Sequence, residues 1–443
     1  MRTSNLNRLL RHTAPHRFLL LCLPFTASCS EGSVPEPCAE LPTRTVLVYL
    51  AGDNNLEEIG RTPELLRQGW KDTGSKCLIY YDAPQAAPKL FALTIRHSDA
   101  SSVLETVEEY PEENSSSAGV FGRVLADVVR KYPSDSYGLI FASHGSGWLP
   151  CGALSDPTRT IGDDRTPGTT GGAREMEITD FAAAIPDHQF DFIIFEACLM
   201  SGIEVAYELR NKTDYLLASS AELLVPGYAP VYPTAFQYLF DTSLGVPQAL
   251  EKFAGSYFNY IDTRNGAYRS ATQSIVYTRE MDALAILAGK TTGNTHGRWD
   301  DALLGKLQHF DRPGSYGDIP ARPRYFDFGQ YMAYLAPERQ ADLDALLRKT
   351  VVWKAATPEF MAGYNGFTIL THSGLTTYIE QDEFPELNAA YKKNGLVESN
   401  ACAEVIHYRK AATQAKQTKK QAKEPTPAVK IFYPNNFLSV LDN

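Results

Sequence analysis

The chain has 443 residues, 44% of them hydrophobic, with a formal charge of −10. That apolar content builds a large core and excludes a wholly disordered chain, and the length suits one large domain with a smaller companion. The acidic balance argues against nucleic acid as a partner, and more so once an N-terminal export signal is removed.

That signal is read from Arg2, Arg8, Arg11 and Arg17, the apolar run from Phe18 to Phe25, and the small residues Thr26, Ala27 and Ser28 before Cys29. The run is too short for a membrane-spanning helix and fits a secretory signal over residues 1–28. A Cys after small residues resembles a bacterial lipobox, so Cys29 is the expected lipid anchor and residues 29–43 its tether. Cleavage near Ser28 without acylation would give a secreted protein instead. Losing four Arg and no acid takes the charge from −10 to −14. Seven Cys occur, at 22, 29, 38, 77, 151, 198 and 402. Five follow Cys29, an odd number that predicts at least one free thiol after export.

In chain order, Thr45 to Ala51 reads as a strand, and Gly52-Asp-Asn-Asn55 as the cap of a helix from Leu56 to Lys71. Cys77 to Tyr81 and Leu90 to Ile95 suit a hairpin. A helix from Val120 to Lys131 precedes a strand from Tyr137 to Ser143. Met176 to Ile185 reads as helical and leads to a strand from Phe190 to Phe195; Tyr215 to Ser219 follows the next helix. Near-continuous apolar strands alternating with helices predict an α/β fold with a mostly parallel sheet covered on both faces. Ligands should then gather at the carboxyl ends of its strands.

The main domain is expected over residues 44–290. A smaller C-terminal α/β region, 291–400, holds a helix from Ala336 to Lys349 and a strand from Gly366 to Leu370. Residues 401–428 read as a basic helix or linker, with six Lys or Arg and no acid between Arg409 and Lys423, and 429–443 as a tail. Such a run is solvated, with a membrane-surface or partner role as the alternative.

Two strand ends carry chemistry. His144 stands in Ser143-His-Gly-Ser-Gly-Trp148, where Gly145 and Gly147 let the backbone turn and approach a ligand. Cys198 stands in Phe195-Glu-Ala-Cys-Leu-Met-Ser-Gly202, where a helix is expected to begin within a residue or two and favour the thiolate. Adjacent parallel strands would set the two side by side: a thiol nucleophile, its proton-transfer partner, and backbone N–H groups of Gly145 and Cys198 for an oxyanion. The 54-residue spacing and Glu196-Ala-Cys198 approach the caspase pattern. No HExxH, CxxC or P-loop spacing is present, which argues against zinc or nucleotide-phosphate chemistry.

The chain resembles the clostripain-like cysteine peptidases, relatives of caspases, legumains, gingipains and separase. The resemblance runs from Thr45 to Tyr232. It rests on Val46-Leu-Val-Tyr-Leu-Ala-Gly-Asp-Asn-Asn55, Tyr132 to Ile140, His144-Gly-Ser-Gly-Trp148 and Ala197-Cys-Leu-Met-Ser-Gly-Ile-Glu-Val-Ala-Tyr-Glu-Leu209. It implies a caspase-like three-layer αβα sandwich, a His144/Cys198 dyad, and cleavage of proteins or peptides after Arg or Lys by a monomer with no required cofactor. The acid two residues before the Cys would line the substrate side-chain pocket; the family usually has Asp where this chain has Glu196. Glu222 is a second carboxylate near the next strand end, read first as a solvated loop acid and second as a pocket residue. The family also implies self-cleavage in the loop after the His, with Arg159, Arg165 and Arg174 as candidates, and in some members calcium, for which Asp163 and Asp164 are the weak candidates. A catalytically silent surface lipoprotein that binds peptides or partners is the alternative; keeping both His144 and Cys198 speaks against it.

Overall fold

The computed structural model describes residues 43–154, 161–166, 175–292, 301–315 and 321–397. The export signal, Cys29, Arg159, Arg174 and the basic run 409–423 lie outside these.

Among the described residues, nine strands form one sheet: β1 (Arg44–Ala51), β2 (Lys76–Ala83), β3 (Ala86–Ile95), β4 (Ser102–Glu109), β5 (Ser136–Ala142), β6 (Phe190–Glu196), β7 (Thr213–Ala218), β8 (Thr272–Tyr277) and β9 (Val351–Ala356). Their order is β9-β8-β7-β6-β5-β1-β2-β3-β4. The five central strands β2, β1, β5, β6 and β7 run parallel, and antiparallel pairs extend both edges.

The continuous apolar runs are explained by this placement. Side chains alternate across a strand, so a strand buried on both faces must be apolar throughout. Leu47, Tyr49 and Ala51 enter one core, and Val46, Val48 and Leu50 the other. The first core is closed by α2 (Ala118–Lys131), α3 (Ile178–Ala183) and α4 (Ile203–Glu208), by α6 (Met281–Thr292), and by α7 (Phe328–Leu335) with α8 (Gln340–Thr350). The second is closed by α1 (Thr62–Gly69), the turns over 228–240 and α5 (Val246–Asp262). This is the expected three-layer αβα sandwich.

Several elements differ from expectation. The helix predicted from Leu56 is a 3-10 turn, Glu57–Arg61, followed by α1 with Pro63 in its first turn. Asn54 caps nothing there: its Oδ1 accepts from the Leu56 N–H in a local Asx turn. The predicted helix from Ala336 opens as a 3-10 turn, Pro337–Arg339, before α8. The strand predicted from Gly366 shrinks to Phe367–Thr368, paired with Glu359–Phe360 in a small hairpin. Residues beyond 290 also supply β9, which completes the edge of the main sheet.

The strand order reverses at β1, which has β2 on one side and β5 on the other, and such a switch point is where an open α/β sheet binds ligands. In register, Leu50 lies beside Ala142 and Ala142 beside Glu196. Three parallel strands therefore end level, and the segments leaving them carry Asn54 and Asn55, His144, and Cys198.

Candidate active site

Ser143, at the second of these ends, ties it to the other two. Its Oγ donates to the Ala51 carbonyl at 3.0 Å, and its N–H donates to the Glu196 carbonyl at 3.3 Å. His144 follows, 4% exposed, with Nε2 2.6 Å from Oδ1 of Asn55. An amide oxygen only accepts, so this contact favours the tautomer with the proton on Nε2 and Nδ1 as the basic ring nitrogen. Asn54 fixes the turn that presents Asn55, donating from Nδ2 to Ala51 O at 2.7 Å and Asp163 O at 3.0 Å.

Cys198 lies two residues past Glu196, as His144 lies two past its register partner Ala142. The chain leaving His144 rests directly on the Cys198 backbone. A Cβ at Gly145 would stand 2.8 Å from the Cys198 carbonyl oxygen and 2.9 Å from the Ala197 Cβ. A Cβ at Gly147, which has φ +66°, would stand 2.8 Å from the Leu199 carbonyl oxygen. Only glycine allows the two turns to approach so closely.

The helix expected to begin at Cys198 does not. Helix α4 starts at Ile203, with Gly202 as its cap, so Cys198 lacks a helix N-terminus. Instead Leu199 adopts φ +62°, a conformation that costs a non-glycine residue energy and persists where the surroundings enforce it. Here Leu199 N–H bonds to Ala221 O at 2.9 Å and Ser201 N–H to Ser219 O at 3.0 Å, holding 199–201 along the 219–221 segment instead of coiling. The Cys198 Sγ lies 3.8 Å from the Leu223 carbonyl oxygen. Trp148 and Leu199 are buried together with Tyr325 and Tyr378, and the Tyr325 hydroxyl donates to Ser146 O at 2.6 Å. The C-terminal region thus buttresses both turns, a role the sequence did not announce.

Residues 161–166 of the loop after the histidine cross this edge. Ile161 bridges Gly145 and Met176, Gly162 N–H donates to His144 O at 3.0 Å, and Arg165 N–H to Asp53 O at 2.8 Å. Arg165 is therefore pinned by its backbone, and its guanidinium pairs with the buried Asp163 at 3.5 Å. Asp164 accepts from the N–H and hydroxyl of Ser115 and of Thr166. Among the described residues no group of three or more His, Cys, Asp or Glu assembles as a metal site.

The two carboxylates expected to receive substrate differ in setting. Glu196 turns against Gly227, accepting from the Tyr228 N–H at 2.7 Å and from the Tyr232 hydroxyl. Burial pushes its pKa up to about 7 against the pull of those donors. Glu222 lies between Ala221 and Leu223, the two residues whose carbonyls meet Leu199 and Cys198. It is ion-paired to Arg312 at 2.8 Å, with side-chain exposures of 5% and 15%.

Asn55, Arg312 and the Tyr325 buttress were not anticipated. For Asn55 a signal existed, since it leaves the strand neighbouring β5. Arg312 lies 90 residues from Glu222, with no local pattern to connect them.

Comparison with known proteins gives consistent matches. The family described as the clostripain family, peptidases C11, matches residues 48–440. Clostripain of Hathewaya histolytica is 26% identical over 290 residues, 58% of this chain; the match spans 52% of clostripain, about half its length. An inactive zymogen C11 protease from Parabacteroides distasonis superposes with TM-score 0.65 at 28% identity, covering 80% of this chain and 97% of that one. A secreted C11 cysteine protease from Bacteroides thetaiotaomicron, in complex with an irreversible peptide inhibitor, gives 0.67 at 25% identity, covering 82% and 99%.

Proposed function

Because the chain belongs to the clostripain family of cysteine peptidases, we propose that it is an endopeptidase in which Cys198 is the nucleophile and His144 its proton-transfer partner. The observation that carries this reading is the level ending of β5 and β6, with each residue two positions beyond the paired Ala142 and Glu196.

In the reaction, the Cys198 thiolate adds to the scissile carbonyl, forming the C–S bond and moving the carbonyl electrons onto oxygen. The N–H groups of Gly145 and Cys198 hold that oxyanion. Collapse breaks the C–N bond as the His144 imidazolium gives its proton to the leaving amine. His144 then takes a proton from water, whose oxygen replaces sulfur to release the acid and the Cys198 thiolate, which restores the starting ion pair. Asn55 is a positioning residue that keeps the ring oriented with Nδ1 toward the chemistry.

Cleavage after Arg or Lys is supported by Glu222 beside the nucleophile, with Glu196 behind it where the family usually carries Asp. Self-cleavage in the loop is assigned to Arg159 or Arg174, since the backbone of Arg165 is tied to Asp53. Export, with Cys29 as the lipid anchor, completes the reading, with peptides or proteins as substrates of a monomer. No helix among the described residues is long and apolar enough to cross a membrane.

The test is a panel of fluorogenic peptides that differ in the residue before the scissile bond, run with the mature protein and with Cys198→Ala. Cleavage after Arg or Lys that Cys198→Ala abolishes is expected. Inactivity of both proteins on every peptide would favour the silent peptide-binding lipoprotein.

A further inference from the structure

Arg312 reaches Glu222 from the far side of the chain and is seated there by a built platform. Phe310 is fully buried against Ala221 and Phe360, with Leu224 and Phe367 around them, and its N–H donates to Tyr325 O at 2.9 Å. Asp311, the next residue, accepts from the Arg324 N–H at 2.9 Å. The Arg312 guanidinium projects from this wall, donating from Nε to Glu222 Oε2 at 2.8 Å and from Nη1 to Tyr364 O at 3.3 Å.

The pair is unevenly satisfied. Nε and Nη2 both address Oε2, while Oε1 of Glu222 is buried with no hydrogen-bond partner. A buried acceptor left so is costly and marks a place where a donor fits. A cationic substrate side chain that displaces the surroundings of Glu222 would meet one buried, unbonded oxygen on a carboxylate whose charge an internal arginine already balances.

We propose that Arg312 is a specificity-determining residue, an internal competitor that occupies the acidic partner of a basic substrate side chain and so restrains cleavage after Arg and Lys. This rests on the reading of Glu222 as part of the substrate side-chain pocket. Arg312 offsets the charge of Glu222 without filling Oε1, so a basic side chain is still accepted there but gains less than it would from an unpaired carboxylate. Removing the guanidinium frees the carboxylate for substrate.

The experiment measures kcat and KM on peptides carrying Arg, Lys, Gln or norleucine before the scissile bond, with wild type, Arg312→Gln, Arg312→Lys, Glu222→Gln and the double variant Glu222→Gln/Arg312→Gln. Arg312→Gln is expected to raise kcat/KM for Arg and Lys peptides roughly tenfold, equivalent to about 1.4 kcal/mol. The gain should come through KM, with the norleucine peptide little changed. Arg312→Lys keeps the charge and should shift the ratio far less, and in the Glu222→Gln background Arg312→Gln should have no effect on it. An equal fall on all four peptides through kcat would assign Arg312 a structural role and overturn the proposal. So would a loss of basic preference in Arg312→Gln, or no change in it, in either case leaving the peptidase reading intact. A wild type inactive on every peptide would overturn both.

Discussion

Nε2 of His144 sits 2.6 Å from Oδ1 of Asn55, joining the residue that leaves β5 to the turn that leaves β1. The contact favours the proton on Nε2, and it holds the imidazole without adding charge. Asn55→Ala should lower kcat by roughly 10- to 100-fold, less than loss of His144 itself, where acid–base catalysis contributes about 10²- to 10⁴-fold. Asn55→Asp places a carboxylate beside the imidazolium and favours it, so the alkaline limb of the kcat/KM profile, where His144 loses the proton it must donate, should move to higher pH. A pH profile unchanged in both variants would remove the positioning role.

The thiols differ in chemical availability. Burial pushes the ionisation of Cys77 well above its ordinary range, whereas Cys198 is only partly buried at the site. A peptidyl alkylating reagent should therefore modify Cys198 and spare Cys77, as read by peptide mass mapping. Modification of Cys151 in place of Cys198 would count against the nucleophile assignment.

Gly145 has no room for a side chain. The methyl of Gly145→Ala would press on the Cys198 carbonyl and the Ala197 methyl, and overpacking of this kind costs about 1–3 kcal/mol. The variant should melt lower than wild type and lose most of its activity, because the displaced backbone carries the N–H groups proposed to hold the oxyanion. Gly152→Ala, which meets no atom within 4 Å but has φ +76°, should lose stability through backbone strain with far less loss of kcat.

The buried Asp82 and the partly buried Glu196 are expected to make stability depend on pH. Glu196 ionises near 7 and Asp82 near 8, against ordinary values of 4.5 and 3.8; burial is the main cause in both, and Asp164 adds to it for Asp82. The folded chain thus retains protons that the unfolded chain has released, so stability falls as pH rises. The contribution is complete below about pH 4 and lost by about pH 8. Thermal unfolding across this window should show a declining midpoint. Glu196→Gln should flatten the decline up to about 7 and Asp82→Asn up to about 8; an unchanged slope in both would refute the assignment.

The parallel core was readable because a strand buried on two faces must be apolar at every position, as β1 is. The neighbouring ends of the strands that carry His144 and Cys198 were readable, because near-continuous apolar strands separated by helices pair in parallel. The start of α4 was not, because pairing with the 219–221 segment and the left-handed Leu199 override a local helical pattern. Arg312 and Tyr325 were invisible for a related reason. Contacts between residues separated by 90 and 179 positions depend on how the C-terminal region folds back, and no periodicity encodes that.

The long loop joins β5 to β6, and those strands are neighbours in one hydrogen-bonded ladder. A chain severed at Arg159 or Arg174 would therefore keep its two pieces together, with the N-terminal piece owning His144 and the C-terminal piece owning Cys198. Neither piece alone holds both halves of the reaction. The cut form would run as two bands under denaturing conditions and as one particle in native buffer, and separating the bands would extinguish the chemistry without changing a single side chain.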